Sequence, residues 1–231
     1  MGNYDKIKNM DLQEFKNTEI KKKLGIDDQK FGKIFTFIDF ANVDKWFVDD
    51  TQNWNGERID VDKRLSVNLE GLNNFTKIFS SQTRFYYGHD ARRDGSIKFL
   101  GKTKYVFGEK FVFTKQIQQI HHYLNDDEKI ANTRIVKCDG RGDYIMLPKC
   151  NFDVEICVDA IRLMNKYDSF CIFSSDADFI SLMKHLNNNR KKVILVKGGF
   201  VQQALKINSD LVISAQDIKA YITYITQKSS F

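Results

Sequence analysis

The chain is poor in proline, histidine and cysteine, and it contains no long apolar run. A single proline, Pro148, excludes the Pro-rich and collagen-like classes. The four cysteines, Cys138, Cys150, Cys157 and Cys171, form no C-x-x-C pair, and the four histidines at 89, 121, 122 and 185 lack zinc-finger spacing. No zinc site is expected. Cys157 and Cys171 lie within apolar segments, where a reduced thiol behaves as a small hydrophobe, in keeping with a reducing compartment. No stretch approaches the roughly 20 apolar residues that span a bilayer, and the opening MGNYDKIKNMDLQEF has no apolar segment of signal-peptide kind. Lys6 stands where the N-myristoylation pattern requires Ser or Thr. The expectation is a cytoplasmic protein with no membrane attachment.

What is present is a core-forming composition. With 42% hydrophobic residues in 231, the chain can bury a core without a disulfide or metal staple, and its length suits one principal domain with an appendage. The excess of Lys and Arg over Asp and Glu gives a formal charge of +6, which suits a polyanionic partner and equally serves solubility.

The N-terminal 32 residues are polar, with a helix expected from about Asp11 to Leu24 through Leu12, Phe15, Ile20 and Leu24, stopped by Gly25. This extension could pack on the domain, engage a partner or RNA, or form a free arm. From Lys33 the texture changes, and IFTFID reads as a buried strand ending at Asp39. A helix is expected from Asp60 to Phe79, because Leu65, Leu69, Leu72, Phe75 and Phe79 recur at helical intervals, and TRFYYGH reads as the next strand. From about residue 94 to 148 a β-rich insertion is expected, with a helix near Ser96 to Gly101, strand character in EKFVFTKQI and RIVKCDGRGDYIML, and DGRG as a hairpin turn. NFDVEICVDAIRLMNK reads as a helix with Val154, Cys157, Val158, Ile161 and Met164 on its apolar face, followed by the strand SFCIFSS. ISLMKHLNN, KKVILV and a final run of short helix, short strand and terminal helix complete the alternation. The pattern predicts an α/β, Rossmann-like fold with a mostly parallel central sheet flanked by helices, a β-rich insertion and an N-terminal helical extension.

In an open parallel sheet, ligands bind outside the carboxyl ends of the strands at the topological switch point. Asp39 closes IFTFID, Asp176 and Asp178 follow CIFSS, and Asp153 opens the helix before that second strand. Such hard oxygen ligands suit Mg2+ or Mn2+. Simpler roles stay open for single residues: Asp153 or Asp178 could be a helix N-cap, and Asp39 could begin a turn. Asp159 lies about 240° around the helix from Asp153, beside Glu155, Arg162 and Lys166, and a solvated salt-bridge face is expected for it. Asp90 follows FYYGH and could reach the same edge, or be an ordinary loop aspartate. His121 and His122 are read as surface residues.

These segments carry a family resemblance. IFTFIDFANV, with Asp39 followed by Asn42, resembles the first strand motif of the NYN domain family, the LabA-like branch of PIN-like nucleases. KCNFDVEICVDAI, CIFSSDADFISLM and LKINSDLVI resemble three further motifs of that family, in order, over about Lys33 to Ile218. Cys150 and Ser175 stand where the family commonly has glycine. The resemblance implies a PIN-like nuclease domain over residues 33–231, acting on RNA, with Asp39, Asp153, Asp176 and Asp178 around Mg2+ or Mn2+ and Asn42 placing a ligand or phosphate. Around these acids, Ser175, Asp159 and Asp90 rank as supporting residues. Arg92, Arg93, Arg141 and Lys149, with Lys102 and Lys104, are candidate phosphate contacts, and Tyr86, Tyr87 or Phe40 candidate base-stacking rings. The first functional reading is a metal-dependent endoribonuclease on single-stranded or structured RNA. The alternatives are a non-catalytic nucleic-acid-binding regulatory module of the same fold and a Mg-dependent small-molecule phosphohydrolase. The extension or the insertion would be the place for a homodimer or protein partner.

Overall fold

The computed structural model describes residues 12–131 and 134–228. Helix α1 (Leu12–Leu24) and the short α2 (Asp28–Phe31) precede β1 (Ile34–Asp39) and α3 (Phe40–Val43). Strand β2 (Lys63–Val67), α4 (Leu69–Lys77), β3 (Ser80–His89), α5 (Asp94–Phe107) and β4 (Val112–Gln116) follow. Next come β5 (Gln118–Tyr123), α6 (Asp126–Ala131), β6 (Lys137–Asp139) and β7 (Gly142–Lys149). The last part is α7 (Asp153–Arg162), β8 (Ser169–Phe173), α8 (Ile180–Asn188), β9 (Lys192–Lys197), α9 (Gln203–Ile207), β10 (Leu211–Ser214), α10 (Ala215–Ile222) and β11 (Thr223–Gln227).

Six strands form one parallel sheet in the order β10-β9-β8-β1-β3-β4. Every residue of β1 is buried, as its uninterrupted apolar sequence requires of a strand covered on both faces. Ile34 and Ile38 face a cluster built with α4, α5 and α10, whereas Phe35 and Phe37 face α7, α8 and α9. The chain leaves β1 toward β3 on one side and returns to β8 on the other, so the switch point lies at the carboxyl ends of β1 and β8.

Two expected elements are corrected. The stretch from Asp60 to Phe79 is not one helix: Leu65 and Val67 point inward with strand period in β2, and Asn68 then caps α4 by accepting from the Glu70 and Gly71 amides. Its partner is β11, antiparallel, which continues the chain beyond the expected terminal helix. The α7 face is also different. Ile156 and Ala160 are buried behind Phe152, while Val154, Val158 and Ile161 are exposed. The expected insertion over about 94–148 divides into α5 and β4, which extend the main sheet, and an antiparallel sheet of order β5-β7-β6. The DGRG turn joins β6 to β7.

Helix α1 packs on the domain through Ile20 and Leu24, whereas Leu12 and Phe15 stay exposed, so only half of the expected stripe is used. The expected start at Asp11 lies outside the described residues. Gly25, at φ 76°, ends the helix, with the Ile26 amide reaching back to the Lys21 carbonyl at 2.9 Å. Among the described residues no helix is long and apolar enough to cross a membrane.

Candidate metal centre

The fold brings the strand-end acids together. Oxygen atoms of Asp153, Asp176 and Asp178 all lie within 4.8 Å of one another. Asp153 opens α7, and the tight turn before it is closed by Asn151, whose side-chain oxygen accepts from the Asp153 amide at 2.7 Å and whose amide donates to the Asp153 carboxylate. Asp176 follows β8 and caps the turn Ala177–Phe179, accepting from the Asp178 amide at 3.0 Å. Neither Asp153 nor Asp178 acts as the N-cap, so capping does not account for those two carboxylates.

Asp39 stands behind this group. Its carboxylate accepts from the Ser174 hydroxyl at 3.1 Å, and that hydroxyl oxygen accepts in turn from the Asp176 amide at 3.2 Å. Burial pushes the Asp39 carboxyl up to about 6; Asp153 and Asp176 add to the rise, and the hydrogen bonds from Ser174 and the Asn42 backbone oppose it. Asp153 is also raised, first by burial and then by the charges of Asp176, Asp178 and Glu155, against the hydrogen bond from Asn151. Mutual repulsion among converging carboxylates is what a bound cation relieves, and an all-oxygen donor set fits a hard divalent ion.

The loop after β8 is pinned from two sides. The Asn42 side-chain oxygen accepts from the Trp46 indole at 2.8 Å and from the Ser175 amide at 3.0 Å. That oxygen therefore orders the loop bearing Asp176, instead of facing a substrate. The Ser175 hydroxyl donates to the Gly198 carbonyl at 2.8 Å and accepts from the Gly198 amide at 3.0 Å, linking the loops after β8 and β9. At Gly198 an added Cβ would sit 2.3 Å from the Trp46 indole, so only glycine permits this approach.

Other candidates separate. Asp159 is not on a solvated face: its carboxylate meets the Arg84 guanidinium at 2.5 Å and the Tyr86 hydroxyl at 2.7 Å, with only 13% of its side chain exposed. Asp90 is engaged by Arg92, whose hydrogen bonds hold its carboxyl below the usual range. Phe40 and Tyr86 are core residues and cannot stack on bases. Lys102 and Lys104 pair with Glu70 and Glu109 toward the far end of α5, which runs back from the carboxyl edge of the sheet. Arg92 and Arg93 follow β3 at that edge, Arg141 lies in the β6–β7 turn, and Lys149 ends β7. Lys115 was missed by sequence reasoning. It is the penultimate residue of β4 at the same edge, donates to the Asn151 carbonyl at 3.0 Å and pairs with Glu155. The signal was its place near the carboxyl end of a strand, once that strand belongs to the sheet.

The NYN domain profile matches residues 33–218. The chain belongs to the NYN domain family. The NYN domain is a PIN-like nuclease family, and the acidic group is a site that could hold a metal. A protein of unknown function from Vibrio parahaemolyticus is similar in structure, at 17% identity and TM-score 0.53, over 85% of this chain and 99% of that one, which supports the fold alone. No curated protein matches the sequence.

Proposed function

We propose that this NYN domain is a Mg- or Mn-dependent endoribonuclease, with residues 33–231 as the catalytic unit and residues 1–32 as its extension. The observation that carries the reading is the convergence of Asp153, Asp176 and Asp178 at the switch point of the parallel sheet, with Asp39 as a fourth carboxylate behind them. Asp153, Asp176 and Asp178 would hold the cation. When bound, a divalent ion supplies charge neutralisation at the phosphate and activation of water, so no histidine or serine nucleophile is needed.

The chain's own residues provide the rest. Asn42, Ser174 and Ser175 hold the Asp176 loop in place, and the Asn151 turn fixes Asp153, so the carboxylates are positioned before substrate arrives. Arg93 and Lys149 lie at the same edge and would meet flanking phosphates, in keeping with the charge of +6. The test is incubation of the purified protein with labelled single-stranded RNA, duplex RNA and single-stranded DNA in Mn2+, Mg2+ or EDTA. Internal cleavage of RNA in Mn2+ or Mg2+ and none in EDTA is expected. RNA binding without cleavage would instead make the domain a regulatory binding module, and hydrolysis of small phosphomonoesters alone would make it a phosphohydrolase.

A further inference from the structure

The three-stranded sheet β5-β7-β6 has two unlike faces. Strand register places His122, Asp143 and Ile145 on one of them. Helix α6 lies against that face through contacts of Glu128 with His122 and Lys129 with Asp143, both at 3.1 Å, and Ile145 is buried. The other face carries Gln119, His121 and Tyr123 of β5 opposite Pro148, Met146 and Tyr144 of β7, and none of the six is buried. There the His121 ring stacks on Tyr144 at 4.3 Å and 17°, and Tyr123 stands 5.7 Å from Tyr144.

Charge sorts with the rings. Lys137 is the register partner of Tyr144 on this face, and Arg141 sits in the adjoining turn, where its charge is felt by the Tyr123 hydroxyl. Asp139, the acid on this face, is already engaged by the Tyr123 hydroxyl at 2.9 Å and the Arg141 amide at 2.8 Å. The strand that carries this face leads along the chain to the acidic group. Strand β7 ends at Lys149, and Asn151, just beyond, holds Asp153. Tyr144 therefore lies about 17 Å along the strand from that end.

We propose that this face is a stacking platform for unpaired bases of an RNA strand whose phosphodiester reaches the acidic group, an inference that rests on the nuclease reading above. Every base offers a π-face to an exposed ring, so such contacts tolerate any sequence, while Lys137 and Arg141 neutralise the adjoining phosphates. A duplex keeps its base faces within its own stack, so the platform selects single-stranded RNA.

Fluorescence anisotropy with a short labelled oligoribonucleotide, in EDTA so that the strand stays intact, tests this on the full chain. Tyr144→Ala is expected to weaken binding about tenfold, and Tyr144→Phe to stay within about twofold of wild type. A strand of the same length with abasic residues should bind wild type as weakly as the normal strand binds Tyr144→Ala. Equal affinity of wild type and Tyr144→Ala, or of normal and abasic strands, overturns the platform. Cleavage assays in Mn2+ separate the two readings. If wild type cleaves while ring variants bind normally, the platform alone falls. If ring removal weakens binding but wild type never cleaves, the platform stands and the nuclease reading falls.

Discussion

Neutralising Asp39 should stabilise the metal-free protein, and by an amount that depends on pH. In the fold burial pushes its carboxyl up from an ordinary value near 3.8 to about 6, with only 9% of its surface exposed. Where a native acid has the higher pKa, the native state binds more protons, so stability falls as pH climbs through the window from about 4 to about 6. That rise corresponds to roughly 3 kcal/mol of destabilisation at pH 7.5, shrinking to less than about 1 kcal/mol at pH 4. Asn would keep an acceptor for the Ser174 hydroxyl but lose the charge-assisted part of that bond, so Asp39→Asn should gain about 1–2 kcal/mol at pH 7.5, or roughly 2–8 °C in Tm. Thermal melts of dialysed wild type and variant at both pH values give a difference of differences in which titrating groups that do not interact with Asp39 cancel. A gain at pH 7.5 that disappears at pH 4 is expected. Equal effects at the two pH values, or a loss at pH 7.5, would refute the claim that this acid is strained by burial and its neighbours.

Arg190 occupies, at φ 59°, the left-handed position that Gly25 fills after α1, with the Lys191 amide reaching back to the Leu186 carbonyl at 3.0 Å. Arg190→Gly should therefore stabilise by about 0.5–1 kcal/mol in a denaturant titration. Asp159→Ala leaves the largely buried Arg84 without its carboxylate and should cost about 2–4 kcal/mol, whereas Tyr86→Phe removes both the bond donated to Asp159 and the one accepted from Arg84 Nε and should cost about 1–2 kcal/mol. Gly198→Ala drives a methyl into the Trp46 indole, which should cost about 1–3 kcal/mol, shift tryptophan fluorescence and weaken Mn2+ binding through Asn42 and Ser175.

The sheet strands and the strand-end acids were legible because each is written locally. A run such as IFTFID has strand length, and a carboxylate at its end has one plausible edge to occupy. Strand β2 was not legible: Leu65, Leu69 and Leu72 mimic helical spacing, and only the pairing with β11, far along the chain, shows that Leu65 keeps strand period. The orientation of α7 failed for the same kind of reason. Its pattern of Val154, Val158 and Ile161 is the more apolar one, but Asp159 is drawn inward by Arg84 and Tyr86 from a distant strand, and the buried line becomes Ile156 and Ala160. Side chains that hold the site by long-range contacts, such as Lys115 on the Asn151 carbonyl or Gly198 under Trp46, carry no local signature.

The central claim is metal-assisted attack of water on RNA at Asp153, Asp176 and Asp178. Water attack does not use the RNA 2′-hydroxyl as nucleophile, which separates it from cleavage by an internal hydroxyl. The decisive measurement is cleavage of a labelled RNA, with and without a single 2′-deoxy residue at the cut position, by wild type and by Asp176→Asn whose fold is verified by circular dichroism. Mn-dependent cleavage of both strands by wild type, with no 2′,3′-cyclic phosphate on the products and none by Asp176→Asn, is predicted. Cleavage that persists in EDTA, survives in Asp176→Asn or is abolished by the deoxy residue would contradict it.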